Sequence, residues 1–337
     1  MPRKRGQRSS TSAFPWMALV LVPMLTAATL ITSAAPAAEP PTHIHQIGKF
    51  RVRYQTTGQH AIAPDDRNRN NIPDQAEDIL TQVMAAHLLF VEVLGFPDPF
   101  QTERFRSATV LDIRIRSKEE MKSNGKAFDE LQHSKDGDWI GVQVASSIHA
   151  TANLTPAHEL FHLIQYGTSY FKNSWFAEGT ARWSERALGT GALGPATKLF
   201  IWPLSPEQAE AVFNASYDAS TQFWNPLAAR LDPTGVIPDS PALQRLQAMR
   251  YTDGSPVLKD LKLTGWAFIR DVIIELGKAD DTAFSELGYD RWSEANQFSR
   301  QNNAFILTAV EQVVRRQENT APPQSGRGAG APNPGGS

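Results

Sequence analysis

Cysteine is absent from all 337 residues, which excludes disulfides, thiolate-held metal, a thiol nucleophile and a lipidated N-terminal cysteine. Histidine is scarce and one-sided, with eight residues and none beyond His162. Whatever chemistry the second half carries, it does not use an imidazole. No Lys/Arg-rich run follows the first eight residues, so nothing points to nucleic acid. Internal repeats are missing too, which argues against a solenoid or propeller.

Long apolar runs are confined to the start. A basic stretch (Arg3, Lys4, Arg5, Arg8) precedes an apolar one from Phe14 to Ile31, and small residues continue to Ala38. This reads as a signal peptide over 1–38, cleaved after Ala35-Pro36-Ala37. An uncleaved anchor is the rival reading, but Pro15, Pro23 and several threonines break the run, which is short for a full span. The mature chain is thus expected to be secreted or periplasmic, with no stable membrane span. Removing those four cations from the 33 basic residues leaves 29 against 35 acidic ones, a net charge of about −6. An exported protein without disulfides needs another source of stability, and bound cations are one.

Two stretches match cation-binding patterns. The first is His158-Glu159-Leu160-Phe161-His162, an H-E-x-x-H run in which the residues beside the polar ones are apolar. Residues four apart share a helix face, so both imidazoles would present to one point, as a zinc ion requires, with Glu159 placed as a general base. Leu160, Phe161, Leu163 and Ile164 make the helix apolar nearly all round, hence buried. Two imidazoles and a carboxylate are costly there unless something such as a metal satisfies them. Thr155 is expected as N-cap, with Pro156 at the first helical position and Tyr166-Gly167 at the end.

The second stretch, Asp66 to Glu77, fits an oxygen-ligand calcium loop at Asp66, Asn68, Asn70, Ile72 (carbonyl), Asp74 and Glu77. Asn71 stands where the sharp turn usually has Gly, and Asn tolerates the left-handed conformation. The competing reading is a polar turn with a capping box from Asp74 to Glu77.

Periodicity supplies the rest of the elements. Strands are expected over Ile47 to Thr57, Thr109 to Arg116 and Trp139 to Val144. The last of these, if it lies at a sheet edge, would pair with an extended peptide substrate. A long helix is expected from Gln75 to Leu94, ended by Gly95 and Pro97, with His87 on it as a structural residue. Another runs from Asn173 or Ser174 to about Gly189. Beyond it the helical segments are Ser205 to Asn214, Asp218 to Leu231, Pro241 to Met249, Val257 to Leu276 and Ala304 to Arg316. The expectation is an α+β, zincin-like fold: residues 39–190 with a small mixed sheet and the H-E-x-x-H helix, residues 191–317 mainly helical, and 318–337 a disordered tail.

A catalytic zinc wants a third protein ligand and an open position. The pattern with a third His is excluded, because Gln165 and Thr168 occupy the positions it needs. A carboxylate from the following helix remains. Glu178 is preferred for its setting among Trp175, Phe176 and Ala177, with Gly179 and Ala181 small enough for the two helices to approach. Glu185, two turns on, is the alternative, otherwise a partner of a ligand or a surface charge.

The run from His158 to Tyr166, followed by Trp175 to Glu185, resembles the gluzincins, and most closely the MXAN-type family of exported bacterial metalloproteases. Tyr54, Thr57-Gly58, the Asp66 to Asp74 loop, Leu94-Gly95-Phe96 and Tyr217 to Trp224 resemble that family in the same order. The likeness covers about residues 47 to 231; Asn71 for Gly and a longer C-terminal part depart from it. It implies zinc on His158, His162 and Glu178, Glu159 as catalytic base, and a peptide or protein substrate. With no later histidine to stabilise an oxyanion, a tyrosine is the expected donor. Tyr217 is chosen because it opens a helix in the resembling segment; Tyr170 and Tyr251 are alternatives, and each is otherwise an ordinary buried tyrosine. The rival functions are an aminopeptidase and a non-catalytic, calcium-stabilised surface protein.

Overall fold

The computed structural model describes residues 40–189 and 200–320, which fall within one compact unit. The expected signal peptide and the tail from 321 onward lie outside the described residues. No helix among the described residues is long and apolar enough to cross a membrane.

The chain opens with a hairpin, β1 (His43–Ile47) against β2 (Phe50–Tyr54), where a single strand over Ile47 to Thr57 was expected. Gly48 turns the chain at φ +55°. Because β1 is solvent-exposed on both faces, its sequence carries no alternation to read. Helix α1 (Asp74–His87) follows and continues through a π-helical turn, Leu88–Val93, to Gly95 at φ +70°. Strand β3 (Ala108–Arg116) lies parallel to β2; the short α2 (Lys118–Met121) and β4 (Gly125–Ala127) lead to β5 (Asp138–Ala145). The sheet order is β1-β2-β3-β5-β4, with β5 parallel to β3 and antiparallel to β4. The condition set for β5, a place at the sheet edge, is therefore not met: it is interior. The edge beside it is β4, three residues too short to show a period.

Side chains alternate across a strand. Val52, Leu111, Ile113, Val142 and Val144 point to one face and are buried under α1 and under α3 (Thr155–Thr168). Arg51, Arg53, Asp112, Arg114 and Arg116 point to the other. After α3 come α4 (Ser174–Ser184), with a 3₁₀ turn to Ala187, then α5 (Pro206–Phe213) and a π-helical turn Ser220–Trp224 running into α6 (Asn225–Leu231). Helices α7 (Pro241–Ala248), α8 (Trp266–Glu286), α9 (Glu294–Gln297) and α10 (Asn302–Thr320) complete the α+β architecture. The helix expected from Val257 starts nine residues later. Gly265 at φ +77° blocks any earlier start, and Val257 and Leu263 are buried from non-helical backbone. Helix α10 takes in residues 318–320, which were assigned to the tail.

Both ends of α3 are pinned. At the start, the fully buried Gln82 of α1 donates to the Ala150 and Asn153 carbonyls and accepts from the Ala157 N–H, one of the amides a helix start leaves unpaired. Thr155 is the first helical residue rather than the cap, and the Asn153 side chain accepts its N–H at 2.8 Å. At the far end the helix continues past Tyr166-Gly167 to Thr168. Gly167 stays helical because Thr102 and Phe105 press against it, 2.9 and 3.2 Å from where a Cβ would stand. Helix α8 closes on this end through Gly277, whose Cβ position is 2.7 Å from the Thr168 carbonyl, and Asp280 accepts the Tyr170 N–H.

Candidate metal centre

His158 and His162, one turn apart on α3, bring their Nε2 atoms to 3.1 Å. Glu178, in the second turn of α4, sets Oε2 3.4 Å from one and 3.6 Å from the other. This Oε2 is buried and has no hydrogen-bond partner. Among the described residues this is the one group of three or more His, Asp or Glu side chains able to hold a metal ion.

The outer nitrogens fix what the inner ones are. His158 Nδ1 is 2.9 Å from Glu185 Oε1, and a carboxylate only accepts, so Nδ1 carries the hydrogen. His162 Nδ1 is 2.7 Å from Gln165 Oε1. The Gln165 amide cannot be turned round, since its nitrogen donates to the Ala177 carbonyl (3.0 Å) and to Thr180 Oγ1 (2.7 Å), whose own hydroxyl donates to the Phe176 carbonyl. In the neutral imidazoles both Nε2 lone pairs then face each other and an orphaned carboxylate oxygen. Three acceptors converge with no donor between them, an arrangement that a cation satisfies. The separations suit one. A tetrahedral ion with bonds of about 2.0–2.2 Å has ligand–ligand edges of about 3.3–3.6 Å.

Protonation answers the same demand when no cation is bound. Burial pushes the His158 pKa down, but the nearby Glu178 carboxylate, the hydrogen bond with Glu185 and the charge on Glu159 outweigh it and raise it to about 9. Burial of Glu178 acts against its charge, yet the two imidazoles hold its carboxyl well below the usual carboxylate range. The imidazole side chains are 8% and 5% exposed and that of Glu178 is 26% exposed, so solvent reaches the group from the α4 side.

Glu159 is not one of the three. Burial pushes its pKa up, against the pull of both imidazoles and, more weakly, of the Ala127 backbone N–H on the edge strand β4. Gly125 on that strand leaves the room: a Cβ there would stand 2.2 Å from Glu159 Oε1 and 2.5 Å from Thr155 Cγ2. Gly125→Ala is therefore expected to displace the Glu159 carboxylate and leave the triad alone. Any peptide hydrolysis that depends on that carboxylate should fall about 10²-fold with bound metal unchanged; parental activity would show that the carboxylate has somewhere else to go.

Tyr217 stands at the site. Its ring stacks on His158 with centroids 6.1 Å apart, and burial and the nearby Glu178 carboxylate push its hydroxyl pKa up. Tyr170 lies under Arg104 and against Trp292, while Tyr251 accepts a hydrogen bond from Gln82, so neither alternative faces the group. Gly179 serves a different contact from the expected one. A Cβ on it would meet Trp224 at 2.7 Å and Ala219 at 3.2 Å, so its smallness admits the segment that carries Tyr217 rather than α3. Tyr166 (stacked on His162, centroids 5.5 Å apart) and Gln165 were not foreseen. Gln165 was in principle findable, three residues from His162 on the same helix face.

The Asp66 to Glu77 loop folds on itself. Asp66 accepts the N–H groups of Asn70 and Asn71, and Asn70 Oδ1 accepts that of Ile72. Asp74 accepts the Arg67 N–H. Glu77 turns into the loop, accepting from the Asn68 and Asn70 side-chain amides, rather than back to Asp74 as a capping box requires. Asn71 takes the left-handed conformation, φ +67°. His87 is structural, its ring against Phe50 and Phe100 and its Nε2 3.2 Å from Asp98. Compared with known proteins, the chain matches no protein-family model, no curated protein and no solved structure.

Proposed function

We propose that the chain is an exported zinc metallopeptidase of the gluzincin type that cleaves bonds inside extended peptides. The observation that carries this is the triangle of two Nε2 atoms and one carboxylate oxygen with edges of 3.1–3.6 Å. A nitrogen-nitrogen-oxygen set of this size suits zinc and leaves a fourth tetrahedral position free. Zinc held there supplies Lewis acidity toward the scissile carbonyl and lowers the pKa of water at its open position.

The chain's own groups do the rest. Glu159, whose pKa burial raises, is a stronger base when ionised; as carboxylate it takes the proton of the attacking water, and the carboxylic acid so formed returns it to the leaving amine. The Ala127 N–H and the gap at Gly125 hold that carboxylate beside β4. The unpaired side of β4 offers backbone groups to a substrate strand, the role that β5 would have had at an edge. Tyr217, its hydroxyl kept protonated by burial and by the neighbouring carboxylates, donates to the developing oxyanion.

The test is cleavage of casein by the mature chain, abolished by a chelator and restored by zinc. Peptides with blocked and free N-termini separate this reading from an aminopeptidase. A fully zinc-loaded protein that cleaves none of these substrates would refute it. Calcium at Asp66, Asn68, Asn70, Ile72, Asp74 and Glu77 belongs to the proposal as a structural cation. A calcium-dependent rise in Tm that Asp66→Ala leaves intact would remove it. N-terminal sequencing of the exported protein checks cleavage after residue 37.

A further inference from the structure

The sheet face turned away from α1 and α3 gathers Arg51, Arg53, Arg114 and Arg116 around one carboxylate. Asp112 is fully buried there and takes the Nε atoms of Arg51 (2.5 Å), Arg53 (2.9 Å) and Arg114 (2.9 Å). Four guanidiniums thus face one acid in a chain whose overall charge is negative. Arg53 and Arg114 are register partners on the parallel strands β2 and β3, so two like charges stand side by side. Such pairs are destabilising, and one buried aspartate cannot cancel all four.

At the carboxyl ends of the same two strands lies a cavity of about 310 Å³, lined by Thr42, Arg53, Gln55, Arg114 and Arg116 together with Tyr54 and Ile115. No carboxylate lines it. Arg53 and Arg114 meet Asp112 through Nε, which leaves their terminal nitrogens uncommitted to it. The Arg116 side chain has no hydrogen-bond or ion-pair partner among the described residues. Thr42 Oγ1 accepts from Gln55, so its own proton is free to donate. The cavity therefore offers several guanidinium N–H groups and a hydroxyl, and nothing anionic.

We propose that this cavity binds a tetrahedral oxyanion of the phosphate or sulfate class, which presents enough acceptor oxygens to engage donors from two strands at once. The reading is independent of the metal centre, on the other face of the sheet.

The test uses the mature chain. Its Tm should rise more in phosphate than in chloride of equal ionic strength, and calorimetric titration with inorganic phosphate should show binding. Phosphate also stabilises proteins generally by exclusion from their surface, so the decisive comparison is Arg116→Gln. That variant should keep the parental Tm in chloride, bind phosphate about tenfold more weakly and lose most of the extra stabilisation. Arg53→Lys, which keeps the charge and loses the planar fork, should also weaken binding. Parental phosphate affinity in Arg116→Gln, or equal Tm values in phosphate and chloride, would overturn the proposal. Phosphatidate vesicles distinguish the source. Co-sedimentation displaced by inorganic phosphate supports the site and assigns a lipid headgroup; phosphate binding without co-sedimentation supports it and assigns a free anion.

Discussion

Glu159→Gln is expected to lower kcat/KM on a casein-derived peptide by about 10³-fold or more while zinc stays bound in stoichiometric amount. Proton transfer by one positioned group contributes about 10²–10⁴-fold, and in the proposed mechanism a single carboxylate serves both the water and the leaving amine. The substitution isolates that role because it changes little else. A carboxamide has nearly the same volume, so it fits the gap that Gly125 leaves. It cannot take up a proton. None of the three candidate ligands is touched, since the triad is His158, His162 and Glu178. Metal content by atomic emission and turnover on the same preparation check both halves. Undiminished turnover would remove Glu159 as the base; loss of metal would mean that the carboxylate helps hold the ion.

The parts of this site that share one helix were legible in the sequence. His158 and His162 are fixed to one face by a spacing of four, and an apolar run round them already implied burial and the need for a counter-ion. Glu178 followed from what was missing, because no imidazole exists beyond residue 162. What the sequence withheld were relations between elements. Glu185 was visible as a charge two turns from Glu178, but only packing of α4 against α3 turns its carboxylate to His158 Nδ1. Nothing in three residues, Gly125-Lys126-Ala127, has a period, so the edge strand that touches α3 was not visible, and β5 was only conditionally considered for that place. Gly179 was read correctly as a site of close approach and given the wrong neighbour, since a missing Cβ does not say which way the gap faces. The hairpin strand β1 and the true start of α8 failed for the opposite reasons: exposed residues without alternation in one case, and apolar residues buried without a helix in the other.

Glu178→Ala should leave the purified protein without metal at low free zinc, whereas Glu185→Ala should keep the ion with affinity lowered about 10–100-fold. Removing Glu178 takes away one of three donors and the only negative charge among them. Two neutral imidazoles 3.1 Å apart then compete alone against water for the ion. Glu185 acts through His158. Its Oε1 accepts the Nδ1 hydrogen and its Oε2 pairs with Arg182 Nη1 at 2.5 Å, so the carboxylate is itself held and in turn holds the ring. Without it the imidazole keeps its lone pair and loses its orientation and some basicity, a graded loss rather than an absolute one. Glu185→Gln should recover much of that affinity, because a carboxamide oxygen still accepts from Nδ1. Zinc titration against a competing chelator orders the variants. If Glu185→Ala stripped the metal and Glu178→Ala retained it, the third ligand would be the wrong carboxylate, and the triangle of donor atoms that carries the peptidase reading would not be the one that binds.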